Sequence, residues 1–224
     1  MLGTIANTSA VLAGSLVGIA AGRYIGTGLK ETLVKALGLA VVVIGLQMAL
    51  TAKGLIPSVA CLLLGAFTGE LMRIERGVER AGEYLKERFN SSSATFVQGF
   101  MSSTLLYITG AMVIIGCIQD GTAGNPDTLY LKSMLDGVSS IALASTLGIG
   151  VAFSAVSVLL VQGLLTLLAA HIAFLQEPAV LAAITSTGGM IILGIGINLM
   201  GFTRIRVGNL IPALVYAAIY PLLF

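Results

Sequence analysis

Eight apolar stretches run along the chain, at about residues 3–22, 32–50, 55–72, 96–117, 134–151, 154–174, 178–200 and 205–223, with short polar breaks between them. Each is long enough to carry a helix across the hydrocarbon core of a bilayer. The pattern predicts an all-α, polytopic membrane protein of about eight transmembrane helices. Spans five and six need a separate argument, because no charged residue separates Asp136 from Leu175. They read either as one tilted helix or as a hairpin turning at Gly148-Ile149-Gly150.

Charge placement decides between the two. With eight spans, Arg23, Lys30, Lys35, Arg73, Arg76, Arg80, Lys86, Arg88, Arg204 and Arg206 share one side, and only Lys53 and Lys132 lie opposite. Merging spans five and six moves Arg204 and Arg206 across and weakens this asymmetry. Basic residues concentrate on the cytoplasmic side, so eight spans with both termini extracytoplasmic is the better reading.

Composition agrees. Hydrophobic residues make up 57% of the chain and charged residues 10%, far below the charge of a soluble domain, and the mean hydropathy is +1.01. The first apolar run lacks a basic leader and an early small-residue cleavage site, so a cleavable signal peptide is not expected. Cys61 and Cys117 both fall in apolar runs and read as small core residues. The expected setting is a bacterial inner membrane, with the lipid bilayer as the main partner.

The segment 73–95 is the most charged. Five basic and four acidic residues lie between Arg73 and Arg88, with Ile74, Val78, Ala81, Leu85 and Phe89 at helical spacing. It reads as an amphipathic, cytoplasmic extension of the third helix. Gln119 to Asp127 reads as a turn-rich extracytoplasmic loop.

Three matches suggest an internal repeat. Ser9-Ala10-Val11 recurs as Ser154-Ala155-Val156, Ile44-Gly45-Leu46-Gln47 resembles Ile195-Gly196-Ile197-Asn198, and Leu55-Ile56-Pro57 resembles Leu210-Ile211-Pro212. Order is kept, and with eight spans each pair runs in opposite directions. That is a 3+3 inverted repeat, helices 1–3 and 6–8, around a central hairpin of helices 4–5. The single transmembrane domain, 1–224, then divides into a first repeat (1–72), the amphipathic segment (73–95), the hairpin (96–151) and a second repeat (152–224).

Polar residues at membrane depth are costly and mark candidate sites. Asp136, Ser139 and Ser140 share a helical face, with Lys132, Ser133 and Asp120 toward the outer end. Such an oxygen-rich face suits a cation, a proton relay or a small polar solute; equally, Lys132 and Asp136 can pair at i, i+4 and only fix the helix end. Thr185-Ser186-Thr187-Gly188-Gly189, close to mid-span, could unwind the seventh helix or equally form a close-packed bend. Gln47 and Asn198 are expected to face each other about the repeat axis. Gly14, Gly18 and Gly22 on helix 1 give a small-residue face for close packing, within the chain or in a homo-oligomer. His171 reads as an interfacial side chain.

Enzyme signatures are absent: no metal-spaced Cys or His cluster, no P-loop and no nucleophile elbow. No cofactor, metal, catalytic residue or nucleic-acid partner is expected.

Gly99-Phe100-Met101-Ser102-Ser103, Gly116-Cys117-Ile118-Gln119-Asp120-Gly121, Lys132-Ser133-Met134-Leu135-Asp136-Gly137, Ala144-Ser145-Thr146-Leu147-Gly148-Ile149-Gly150 and the 194–199 and 204–212 segments resemble the YdfK/YqgA-type bacterial membrane proteins. The likeness covers nearly the whole chain, departing at Cys117, where a small residue is expected. It implies a domain of unknown function, presumed transport-related. The sequence thus points to a small secondary transporter or ion-conducting protein for a cation or small polar solute. The alternative is a non-transporting scaffold or regulator acting through segment 73–95.

Overall fold

The computed structural model describes residues 1–52, 54–89, 91, 93–109 and 111–223. Among these every regular element is helical: α1 (Leu2–Gly22), α2 (Thr27–Ala49), α3 (Leu55–Met72), α4 (Ile74–Arg88), α5 (Phe96–Ile108), α6 (Ala111–Thr122), α7 (Asp127–Leu147), α8 (Gly150–Leu167), α9 (Pro178–Met200) and α10 (Pro212–Leu223), with short 3₁₀ turns before α9 and α10. Five of them, α1, α2, α3, α8 and α9, are long and apolar enough to cross a membrane, or six spans if the bent pair α5–α6 counts as one.

The helices are built inside out relative to a soluble protein. On α1 the buried face is Gly3, Thr4, Asn7, Val11, Gly14, Ser15 and Gly18, while Leu2, Ile5, Leu12, Leu16 and Val17 are exposed. On α7, Lys132, Ser133, Asp136 and Ser140 are buried, whereas Leu131, Met134, Leu135 and Val138 are exposed. Water would drive the opposite arrangement; lipid makes it the stable one, since apolar side chains lose nothing by facing acyl chains and polar groups need internal partners. Together with the apolar helices, this identifies a membrane protein.

Several boundaries differ from the sequence expectations. The amphipathic helix α4 is not an extension of α3, because Arg73 between them adopts a left-handed backbone (φ 55°) that ends α3 and redirects the chain. The fourth apolar stretch is two helices, α5 and α6, bent by 62° relative to each other. Gln119 and Asp120, expected in a loop, lie in α6, and α7 begins at Asp127. By contrast, the break expected at Gly148-Ile149-Gly150 is present: α7 and α8 are separated at Gly148, whose φ of 78° is easily reached only without a Cβ.

The chain forms two compact units of interleaved segments: Met1–Val34, Glu79–Ile108 and Met112–Ala173 in the first, and Lys35–Val78, Thr109–Ala111 and Phe174–Phe224 in the second. In the first, α1 and α7 run parallel in backbone contact: a Cβ on Gly14, Gly18 or Gly22 would strike the carbonyl oxygen of Gly137, Ile141 or Ser145 respectively. The expected small-residue face of helix 1 is therefore used within the chain. α8 runs parallel to α5, with Gly150 against the Phe96 carbonyl and Thr104 Oγ1 donating to Ser157 Oγ at 3.2 Å.

In the second unit, α2 and α9 cross antiparallel. A Cβ on Gly38 would lie 2.9 Å from the Gly196 oxygen and one on Gly196 2.8 Å from the Gly38 oxygen; for Gly45 and Gly189 the reciprocal distances are 2.8 and 2.6 Å. α3 and α10 also run antiparallel, with Gly65 against Ala213 and Gly69 against Asn209.

Candidate functional site

The backbone contact between α1 and α7 sets the geometry of a buried polar site in the first unit. Lys132 and Asp136 stand one turn apart on α7, and Lys132 Nζ donates to Asp136 Oδ2 at 2.6 Å. Asn7 on α1 donates through Nδ2 to the same oxygen at 2.9 Å. Lys132 is 6% exposed and Asp136 7%. A charge so placed is stable only when paired and hydrogen-bonded. This pair is.

The polar groups continue along the helices on either side. One turn beyond Asp136, Ser140 shares a 2.8 Å hydrogen bond with the Tyr107 hydroxyl of α5, both fully buried. In the other direction Thr4 of α1 bonds Thr166 of α8 at 3.2 Å, and the Gly3 amide donates to Asp120 Oδ2 at 3.1 Å. Among the described residues of this unit, four atoms are wholly buried without a hydrogen-bond partner: Asn7 Oδ1, Ser15 Oγ, and Gln162 Nε2 and Oε1. Asn7 and Gln162 are each one turn along from the Thr4–Thr166 bond, on helices that cross there, so both carboxamides belong to the same stretch of the α1–α8 contact.

Of the residues singled out from the sequence, the structure thus brings together Asp136 and Lys132, with Ser140 in the next turn. Ser133 is buried but bonds its own helix at the Leu129 carbonyl. Ser139 is only half-buried. Asp120 is tied to the start of α1.

In the second unit α9 is an unbroken helix through Thr185-Ser186-Thr187-Gly188-Gly189, so of the two sequence readings of this run the unwinding does not occur and the close packing does. These residues instead seat α2 against α9: Ser186 Oγ donates to the Ala49 carbonyl at 2.6 Å, and Gly189 lies on the backbone of Ala49. Gly188 meets the methyl of Thr109, Thr185 is half-buried, and Thr187 Oγ1 is buried without a partner. Gln47 and Asn198 do not face each other. Gln47 is exposed, and Asn198 clamps the backbone of Ile205, donating to its carbonyl and accepting from its amide at 2.7 Å each.

Gln162, Thr4 and Thr166 were not singled out in advance as a site. A signal for two of them was present in α8, where Ser154, Gln162 and Thr166 fall on one face at helical spacing within an otherwise apolar helix. No cluster of three or more His, Cys, Asp or Glu that could hold a metal ion occurs among the described residues.

Comparison with known proteins places the chain without assigning a chemistry. It is 29% identical over 222 residues to the "Uncharacterized protein YqgA" of Escherichia coli (strain K12), covering 97% of this chain and 94% of that one. It is 30% identical over 219 residues to the "Uncharacterized membrane protein YdfK" of Bacillus subtilis (strain 168), covering 96% and 93%. No solved structure matches. A family model described as "Protein of unknown function (DUF554)" matches residues 2–222, and the chain, a helical membrane protein with a buried ion pair on α7, belongs to that family.

Proposed function

We propose that this protein is a small secondary transporter for a cation or small polar solute, with eight spans in a bacterial inner membrane and both termini extracytoplasmic. The observation that carries the reading is the Lys132–Asp136–Asn7 cluster. A hydrogen-bonded ion pair more than nine-tenths buried in a lipid-facing bundle is costly to retain and commonly marks a solute or ion path. A standing pore would leave these groups wet. Their burial favours a carrier that must rearrange to reach them.

Helix directions support eight spans. α5 antiparallel to α7 and parallel to α8 is what alternate crossing requires, with the turn at Gly148 between two spans. Lys132 and Asp136 hold α7 below the apolarity of the other spans. The last span is made by α10 with the 3₁₀ turn that precedes it.

The α2–α9 crossing supports the inverted repeat. At the offset relating Gly45 to Gly196, Gly38 corresponds to Gly189, so the Gly38–Gly196 contact becomes the Gly189–Gly45 contact when the two helices are exchanged. α1 with α8 and α3 with α10 are antiparallel as well, as such a repeat demands.

The test is flux in proteoliposomes under sodium, potassium, proton and organic-anion gradients, comparing the native chain with Asp136→Asn. Flux lost in the variant, with its fold intact, supports the reading. No flux from the native chain under any gradient overturns it.

A further inference from the structure

The second unit contains a cavity of about 620 Å³, lined by the α2–α3 turn, the first turns of α3 and α9 and the end of α10. That size suits a small molecule. Gly54, Pro57 and Ser58 belong to the start of α3, and Pro178 and Ala179 to the start of α9. Neither N-cap, Gly54 nor Glu177, makes a side-chain capping bond. First-turn amides have no partners inside their own helices and carry the positive end of the helix dipole; two such ends meet at one cavity, where Pro57 and Pro178 have no N–H and Ala179 offers the first-turn amide of α9.

A second observation points to a ligand at the same place. Ser58 lines the cavity, is 2% exposed, and its hydroxyl makes no hydrogen bond among the described residues. No Asp, Glu, Lys, Arg or His is among the described lining residues; Glu177, the carboxylate nearest in sequence, is exposed and lies outside the lining. Pro57, Pro178, Pro221, Ala182 and Ala183 make much of the wall apolar, and Thr51 and Tyr220 add its other side-chain hydroxyls.

We propose that this cavity binds a small organic anion, a carboxylate on a short apolar body. The carboxylate accepts hydrogen bonds from the Ser58 hydroxyl and the Ala179 amide in the first turn of α9, as anions do at helix starts, and the apolar body lies against the prolines and alanines. A cation would meet two positive helix ends. A hydrated inorganic anion would gain nothing from the apolar wall. The site is separate from Asp136, and its test reads binding rather than flux, so it stands or falls independently of the transport reading.

The experiment titrates the purified protein in detergent, in chloride-free buffer, with sodium butyrate and with its uncharged isostere butyramide, following thermal unfolding. Butyrate is expected to raise the unfolding temperature saturably and butyramide to have no such effect. Ser58→Ala should weaken butyrate binding roughly tenfold, the size expected for one hydrogen bond to a charged group. Ala183→Leu, which narrows the cavity, should abolish it, with Ala182→Leu as the second filling variant if the first unfolds. Equal stabilisation by butyramide, no saturable response to butyrate, or a butyrate curve unchanged by Ser58→Ala and the filling variants would overturn the assignment.

Discussion

Asn7 and Asp136 are 129 positions apart in the chain and 2.9 Å apart in the fold, joined by a hydrogen bond from Nδ2 to Oδ2. The carboxylate oxygen that Asn7 reaches is also the one held by Lys132. Asp136 is therefore the hub of the cluster, and the other two are its dependents.

Asp136→Asn leaves Lys132 a buried cation with no counter-charge. Breaking a buried pair from one side destabilises by about 3–5 kcal/mol. Neutralising both, as Lys132→Gln with Asp136→Asn, should recover most of that loss while flux stays absent. Thermal unfolding in detergent and proteoliposome flux, measured on both variants, check this. Flux recovering together with stability would make the pair purely structural.

Gly14 and Gly18 admit no side chain without moving α1 off α7. Gly18→Val should destabilise by about 1–3 kcal/mol or more through overpacking, and should weaken the Asn7–Asp136 bond by the same displacement. Val17→Leu, on the exposed neighbouring position, should be close to neutral. The comparison is a pair of unfolding curves in one detergent.

Gln162 holds two polar side-chain atoms, both wholly buried and both without partners among the described residues. Replacing an unsatisfied buried amide by an apolar side chain of similar size removes a desolvation penalty of about 1–3 kcal/mol. Gln162→Leu should therefore raise the unfolding temperature. If it lowers it, Gln162 has a hydrogen-bond partner in the bilayer-embedded state.

The proposed orientation places α4 in the cytoplasm and the α6–α7 connection outside. Single cysteines at Glu83 and Asn125, in a chain with Cys61 and Cys117 replaced by Ala, should label oppositely with a membrane-impermeant maleimide on intact cells. Position 125 should react and position 83 only after permeabilisation. Labelling of both from one side would reject alternate crossing.

Hydropathy made the limits of α3 and α9 readable to the residue, because in both the apolar run ends where the helix ends. The bend between α5 and α6, the break at Arg73 and the continuity of α9 were not readable. Each depends on local backbone angles or on what packs alongside. Gly188 and Gly189 look like helix breakers in sequence, yet they serve as the flat surface for Thr109 and Ala49. The site was half legible for a similar reason. Lys132 and Asp136 stand out as charges in an apolar run, whereas Asn7 and Tyr107 become significant only once α1 and α5 are known to pack on α7.

Those same charges have a consequence for biogenesis under the proposed topology. Lys132 and Asp136 keep α7 out of the group of helices apolar enough to cross on their own, so α7 is a poor candidate for unaided release into lipid from the insertion machinery. The partner that satisfies its carboxylate, α1, is made more than a hundred residues earlier. In the proposed eight-span topology the nascent protein would therefore keep α1 within reach, its glycine face bare, until α7 arrives, so that insertion of α7 and its packing on α1 are coupled.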